Sequence, residues 1–111
     1  MYTMPSADMP PGTLPLLILR VLRTGSLHGY AIAQRIRQVS DSVLEAEEGS
    51  LYPALQRMLM KGWLESEWGV SETNRKVRFY RLTEEGRRQL DTEVAEYQRV
   101  NAAIRAILDF A

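Results

Sequence analysis

The hydrophobic period of the chain changes at residue 64. Before this point apolar side chains recur every three or four residues, the spacing of helices, in three segments separated by Gly25 and by residues 40–48. From Leu64 onwards apolar and polar residues alternate over two short segments, which is the spacing of strands. A helical period returns after Thr83. This order, three helices, a hairpin and one long helix, predicts a mainly α (α+β) fold.

The three predicted helices have clear start and stop signals. Thr13 is predicted to cap the first helix, with Pro15 in its first turn. The second begins near His28–Gly29, and the third runs from about Ser50 to Lys61, with Pro53 tolerated in its first turn. The predicted buried faces are Leu14, Leu17, Ile18, Val21 and Leu22 in the first helix, Ile32, Ile36 and Val39 in the second, and Leu51, Leu55, Met58 and Leu59 in the third.

The predicted hairpin carries an excess of positive charge. Its strands are Leu64–Trp68 and Lys76–Leu82, joined by loop residues 69–74. The whole chain has 14 basic and 14 acidic residues, yet residues 75–88 hold six cations against Glu84 and Glu85. A solvated surface with scattered ion pairs would explain this block, but so would a local basic face on a neutral protein.

The last predicted helix has a heptad pattern. Thr83 is its predicted N-cap. Apolar or register-setting residues then follow in steps of four and three, which is typical of a helix that pairs with a second copy. The predicted dimer seam is Leu90, Val94, Tyr97, Asn101, Ile104 and Leu108. The alternative is a helix lying on its own core. We favour a homodimer, because the preceding elements already close a compact unit.

The chain lacks the residues that most kinds of catalytic site require. There is no cysteine, and His28 is the one histidine. No Gly-rich phosphate loop and no histidine cluster with metal-ligand spacing occurs, so we expect no enzyme activity, cofactor or metal. No apolar run approaches the length of a membrane span, and residues 1–12, with three prolines, show no signal pattern and are predicted to form a flexible arm. A cytoplasmic location is expected.

Two short helices followed by a basic two-stranded ribbon match the winged helix-turn-helix plan. In that plan the second helix of the pair enters the DNA major groove and the ribbon, or wing, contacts the flanking backbone. Core packing against the hairpin is the alternative for Tyr52, and simple solvation for Gln56 and Arg57. The candidate DNA contacts are Ser50, Tyr52, Gln56 and Arg57 on the third helix and Arg75, Lys76 and Arg78 on the wing.

Five strings in unbroken order resemble the PadR family of bacterial transcriptional regulators: LLIL (16–19), HGYAI (28–32), GSLYPAL (49–55), LMKGWL (59–64) and RKVRFYRLTEEG (75–86). The resemblance implies a dimeric winged-helix repressor whose last helix forms the dimer with help from the first. It also implies that Tyr30 faces DNA, that Ser50, Tyr52 and Pro53 open the recognition helix, and that Tyr80 and Leu82 are core residues. The expected division is an arm (1–12), a DNA-binding domain (13–82) and a dimerisation helix (83–111).

The chain resembles the short subgroup of this family, with a single terminal helix. Some short members bind flat aromatic drugs at the dimer interface through a tryptophan in that helix. Here Trp63 and Trp68 lie before and in the hairpin instead. Both are therefore predicted to be core residues rather than a ligand platform. Whether a small-molecule effector exists is left open.

A second class of function keeps the fold without DNA binding. In this interpretation the chain is a winged-helix protein-interaction module. Zero net charge and the acidic connector Glu45–Glu48 favour it, whereas the basic wing and the polar start of the third helix oppose it. The salt dependence of duplex binding separates the two, since phosphate contacts release counterions.

Overall fold

A computed structural model describes residues 9–111. It confirms the order three helices, hairpin and long helix. Most of the predicted flexible arm, residues 1–8, lies outside the described residues. The elements are α1 (Thr13–Val21, extended by a 3-10 turn at Leu22–Thr24), β1 (Leu27–His28), α2 (Gly29–Val39), α3 (Glu48–Met60), β2 (Leu64–Val70), β3 (Lys76–Leu82) and α4 (Glu84–Asp109).

The sheet has three strands rather than the two predicted. β3 lies in the centre, with β2 and β1 antiparallel on its two sides. In β1, Leu27 pairs with Tyr80 and His28 with Phe79. A strand of two residues is too short to show an alternating pattern, so only its pairing with β3 reveals it. This short strand places the start of α2 beside the middle of the wing.

The core lies between the three short helices and the base of the hairpin. It contains the apolar faces predicted for α1 and α3, together with Leu64, Tyr80 and Leu82 of the sheet. In α2, Val39 does not belong to the core although it was predicted to be buried, because 77% of the residue is exposed. It is the last residue of α2, and the chain turns away at once through Asp41 and Ser42, which both have positive φ.

The predicted cap of α1 is wrong and that of α4 is confirmed. Gly12, not Thr13, is the N-cap of α1, since the chain enters this helix through a left-handed backbone (φ 82°) that glycine adopts without strain. At α4 the Gly86 N–H donates to Thr83 Oγ1 at 3.0 Å. The Thr83 hydroxyl also donates to the Gly62 carbonyl at 2.6 Å, which ties the start of α4 to the turn after α3.

Only the first part of α4 packs on the chain's own core. Leu90 is buried and Val94 is half-buried against the core. These two members of the predicted dimer seam therefore act, in this chain, as intramolecular packing residues. From residue 95 to the C-terminus every residue is exposed, because α4 extends beyond the core. Among residues 9–111, no helix has the length and apolar character needed to cross a membrane.

Candidate nucleic-acid interface

The first two turns of α3 present the predicted polar surface. Ser50, Tyr52 and Pro53 are exposed, as are Gln56 and Arg57 one turn later, while Leu51, Ala54, Leu55 and Met58 are buried beneath them. The helix starts two residues earlier than predicted, at Glu48, so Pro53 lies in the second turn. There it removes a hydrogen bond to the carbonyl of Gly49, which is at the exposed start of the helix.

Gly29, the first residue of α2, lies directly against the ring of Tyr52 in α3. A Cβ atom built on Gly29 would lie 2.8 Å from both Cε1 and Oη of Tyr52. Any side chain at position 29 therefore displaces the tyrosine ring. The contact connects two separate sequence motifs, HGY and GSLYP, and it holds Tyr52 at the surface with 45% of the residue exposed.

This contact gives a stability prediction. We expect Gly29→Ala to lower the free energy of unfolding by about 1 kcal/mol, the low end of overpacking costs, because the half-exposed ring of Tyr52 can shift towards solvent. In a protein that also carries Tyr52→Ala, the new methyl group at position 29 has no ring to displace. There we expect Gly29→Ala to leave the free energy of unfolding unchanged or to raise it slightly, because alanine has the better helix propensity. Urea denaturation of the four proteins measures the coupling. An equal cost in both backgrounds contradicts the contact.

The three cations of the wing have no carboxylate partner among the described residues, unlike two other arginines of the basic block. Arg81 donates to Glu65 at 2.9 Å, and Arg88 lies 2.7 Å from Glu85. In both arginines the carboxylate's hydrogen bond and charge raise the guanidinium pKa. By contrast, Arg75, Lys76 and Arg78 are exposed and form no ion pair with any residue that the structure describes. Within the basic block, the wing cations and Arg87 therefore have no described ion-pair partner and are free to bind an anion.

The prediction that both tryptophans are core residues is half wrong. Trp63 is half-buried and packs against the core, as predicted. Trp68 is 62% exposed, because the strands continue past the part of the hairpin that the helices cover. Its ring centroid lies 5.2 Å from Lys76 Nζ and 5.6 Å from Arg78 Cζ.

A groove of about 1040 Å³ separates the wing from the starts of α2 and α3. It brings together two predicted DNA contacts, Tyr30 and Tyr52, with the three wing cations. It also contains residues that the sequence interpretation did not select as contacts: Gln34, Arg35 and Gln38 on the polar face of α2, and Trp68. The polar face of α2 was visible in the helical period, but only the fold turns it towards the wing.

The remaining predicted contacts lie on the other side of α3. Ser50, Pro53 and Arg57 border a second depression, together with residues 9–15 and Glu45 and Glu47. Gln56 lines neither depression. The exposed face of α3 thus lies between two concave surfaces. The one beside the wing carries four cations that pair with no described carboxylate, and the other carries Arg57.

Tyr80 is a buried residue of β3 that lies close to both α3 and the wing. Burial raises the pKa of its phenol; the neighbouring positive charge of Arg78 lowers that pKa in part, and Tyr52 raises it further. The side chain therefore stays neutral, and its two electrostatic neighbours come from the wing and from α3. With 6% of the residue exposed, Tyr80 is confirmed as a core residue.

An apolar stripe continues along the exposed part of α4. Tyr97, Ile104 and Leu108 of the predicted seam are 56%, 53% and 77% exposed, and Asn101 is exposed among them. The stripe also includes Val100 and Ile107, which are 42% and 68% exposed. The strict four–three spacing missed these two because it admits about one residue per helical turn, whereas the apolar arc is wider. No described residue of the same chain covers this stripe.

A comparison with protein families identifies one match over most of the molecule. The model of the transcriptional regulator PadR-like family matches residues 18–92. This range runs from α1 through α3 and the wing to the first part of α4, and so includes the groove.

Solved structures and a curated relative share the fold. A transcriptional regulator from Clostridium thermocellum has a TM-score of 0.78 and 30% identity, with 85% of this chain and 91% of that one covered. Bacillus subtilis PadR in complex with operator DNA has a TM-score of 0.67 and 26% identity, over 77% of this chain and 48% of that one. The negative transcriptional regulator PadR of B. subtilis is 24% identical over 92 residues, 83% of this chain and 50% of its own length. The chain thus spans about half of that relative.

Proposed function

The chain belongs to the PadR-like family of transcriptional regulators, and we propose that it acts as a homodimeric repressor that binds a two-fold symmetric operator in double-stranded DNA. One observation carries the proposal: the unpaired wing cations and the exposed start of α3 face one groove. The B. subtilis relative solved with operator DNA supports it. We propose a cytoplasmic location and no catalytic role. The proposed division is a DNA-binding domain at 13–82 and a dimerisation helix at 83–111.

The groove suggests how the duplex is held. An α-helix fits the major groove, where side chains near its start reach base edges. With α3 in this position, Gln56 and Arg57 are the candidates for base contacts, since an amide can bind adenine and a guanidinium guanine through paired hydrogen bonds. Arg75, Lys76 and Arg78 then neutralise backbone phosphates, and Tyr30 and Tyr52 donate to the DNA backbone on the same side of α3. Ser50 donates to the backbone on the other side of the helix.

The exposed stripe of α4 supplies the dimer contact in this proposal. A helix whose apolar side chains project beyond its own core exposes them to water unless a second molecule covers them. Asn101 on the stripe would favour one register of the paired helices. Two α3 helices related by a two-fold axis would read half-sites one helical turn apart, about 34 Å, or a multiple of that distance.

The alternative, an interaction module without DNA binding, has one structural observation in its favour. Glu47 and Glu48 are exposed at the start of α3, where they would repel phosphates. Glu47 borders the depression on the other side of α3. Glu48 lines the groove, but there four cations, Arg35, Arg75, Lys76 and Arg78, outnumber Glu48 and Glu72. The net positive lining favours DNA.

Selection of bound sequences from a randomised duplex pool, followed by affinity measurements at several salt concentrations, tests the proposal. We expect a palindromic sequence to be enriched and log affinity to fall steeply with log salt concentration, because each phosphate contact releases counterions. No enrichment, or binding that is indifferent to salt, would support the interaction module instead.

Two single substitutions should separate the roles of the wing and of α3. We expect Lys76→Ala to weaken binding to all sequences alike and to reduce the salt slope by about 1, because it removes one phosphate contact. Gln56→Ala should leave the slope unchanged and relax the base preference at one position per half-site. Fluorescence anisotropy with the selected duplex and its single-base variants measures both effects. Arg88→Ala is the control, as this arginine is engaged by Glu85; identical behaviour of Lys76→Ala and Gln56→Ala contradicts the assignment.

A further inference from the structure

The exposed indole of Trp68 has a place in DNA binding. We infer that it packs against the sugar edge of the minor groove beside the major-groove site, between phosphates bound by Lys76 and Arg78. This inference rests on the proposed function, which it extends by one apolar contact. The sequence pattern predicted a core role for this residue, and the structure places it in the groove instead.

Strand register determines which way Trp68 faces. Leu64 pairs with Leu82, Ser66 with Tyr80 and Trp68 with Arg78, and in an antiparallel pair directly opposed residues lie on the same face. Leu64, Leu82 and Tyr80 are buried on the side of the core and α3. Trp68 and Arg78 therefore continue that face outward, beyond the core, and line the groove with Tyr52.

No packing role within the chain accounts for this side chain. Apart from its two cationic neighbours, at 5.2 and 5.6 Å, it makes no aromatic contact with any described residue, and 62% of it is exposed. Its neighbour on the same face, Val70, is also 63% exposed. An apolar patch of this kind, flanked by unpaired cations, has the character of a binding surface.

The chemistry of the patch matches the DNA backbone. A duplex presents anionic phosphates next to apolar deoxyribose faces, and proteins place apolar side chains in the minor groove beside basic ones. Lys76 and Arg78 supply the two cations and Trp68 the apolar surface between them. A second copy of the wing would be repelled by the same cations, so charge complementarity selects the duplex.

Affinity and its salt dependence test the contact together. With the selected duplex carrying a fluorescent label, we expect Trp68→Ala to lower affinity about tenfold, comparable to the loss of one base–aromatic contact, with the salt slope unchanged because no charge is lost. Trp68→Phe should recover part of the affinity. Val43→Ala is the matched control, since Val43 is 53% exposed but lies outside the groove and outside α3.

Tryptophan emission locates the contact. In the Trp63→Phe variant Trp68 is the sole tryptophan, and we expect the duplex to quench its emission and protect it from acrylamide. In Trp68→Phe the remaining Trp63 should be unaffected. Should Trp63→Phe fold poorly, as judged by urea denaturation, the difference in emission between the wild type and Trp68→Phe gives the same information.

The outcomes are distinct. Unchanged affinity and unchanged Trp68 emission, with the wild type still binding the duplex, overturn the inference and leave the proposed function standing. A loss of affinity accompanied by a smaller salt slope also overturns it, because Trp68 then only positions Lys76 and Arg78. If the wild type binds no duplex by anisotropy, the proposed function fails and the inference fails with it.

Discussion

Ile104→Asp should convert the protein to a monomer and lower its affinity for a two-fold operator by about a hundredfold or more, the usual loss when two linked sites become independent. Ile104 lies in the middle of the exposed stripe of α4 and is 53% exposed. In a dimer it becomes buried, and a buried unpaired carboxylate is strongly unfavourable. Sedimentation measures the oligomeric state, and anisotropy with the selected duplex measures affinity.

The matched control is Ala102→Asp, which adds the same charge on the opposite side of the same exposed segment, two residues away. We expect this variant to remain a dimer and to bind the operator. Because neither residue contacts the core of its own chain, the far-ultraviolet circular dichroism of both variants should retain the native helix content. Persistence of the dimer in Ile104→Asp would contradict the assignment of the stripe as the interface.

Gly86→Ala should lower the free energy of unfolding by about 3 kcal/mol or more, in the range of severe overpacking at a buried position. Gly86 is buried in the first turn of α4, and a Cβ atom there would overlap the carbonyl oxygen of Trp63. That oxygen is backbone and accepts the Thr83 N–H at 3.0 Å, so no side-chain rotation relieves the overlap. The start of α4 must move away from the turn after α3 and lose these bonds.

Gly49→Ala provides the comparison for this prediction. Gly49 lies in the first turn of α3, and a Cβ atom added there meets nothing within 4 Å. Alanine should therefore stabilise the helix by about 0.5–1 kcal/mol. Urea denaturation of the two variants and the wild type gives both values. A cost at Gly86 no larger than the change at Gly49 would show that the junction between α3 and α4 is not tightly packed.

The elements that local sequence predicts are those whose signals lie within a few residues of each other. The α2 start at Gly29, the Thr83 cap and the hairpin strand Lys76–Leu82 are all confirmed. Each depends on a cap, a period or a turn that operates over one or two turns of chain. Thr13 shows the limit of this approach. Threonine is a good capping residue, but the N-cap of α1 is Gly12, which has a left-handed backbone.

The candidate site was predictable only in part. Tyr30, Tyr52 and the wing cations were selected from residue type and resemblance, and the structure does bring them to one groove. Trp68 was assigned to the core because it lies in the hairpin and not in the terminal helix. The alternation of residues along a strand tells which of them share a face. It does not tell how far along the strand the helices cover that face.

The sequence alone determined the order and type of the elements, the basic wing, the polar start of α3 and the family resemblance, because these depend on residues close together in the chain. The tertiary structure decided which surfaces meet: β1 forms only against β3, and Tyr52 fits only over Gly29. It also divided the seam of α4 between its own core, at Leu90 and Val94, and an exposed stripe beyond it. Contacts between residues far apart in the chain depend on how the helices and the sheet overlap. The hydrophobic period of a short segment carries no information about that overlap.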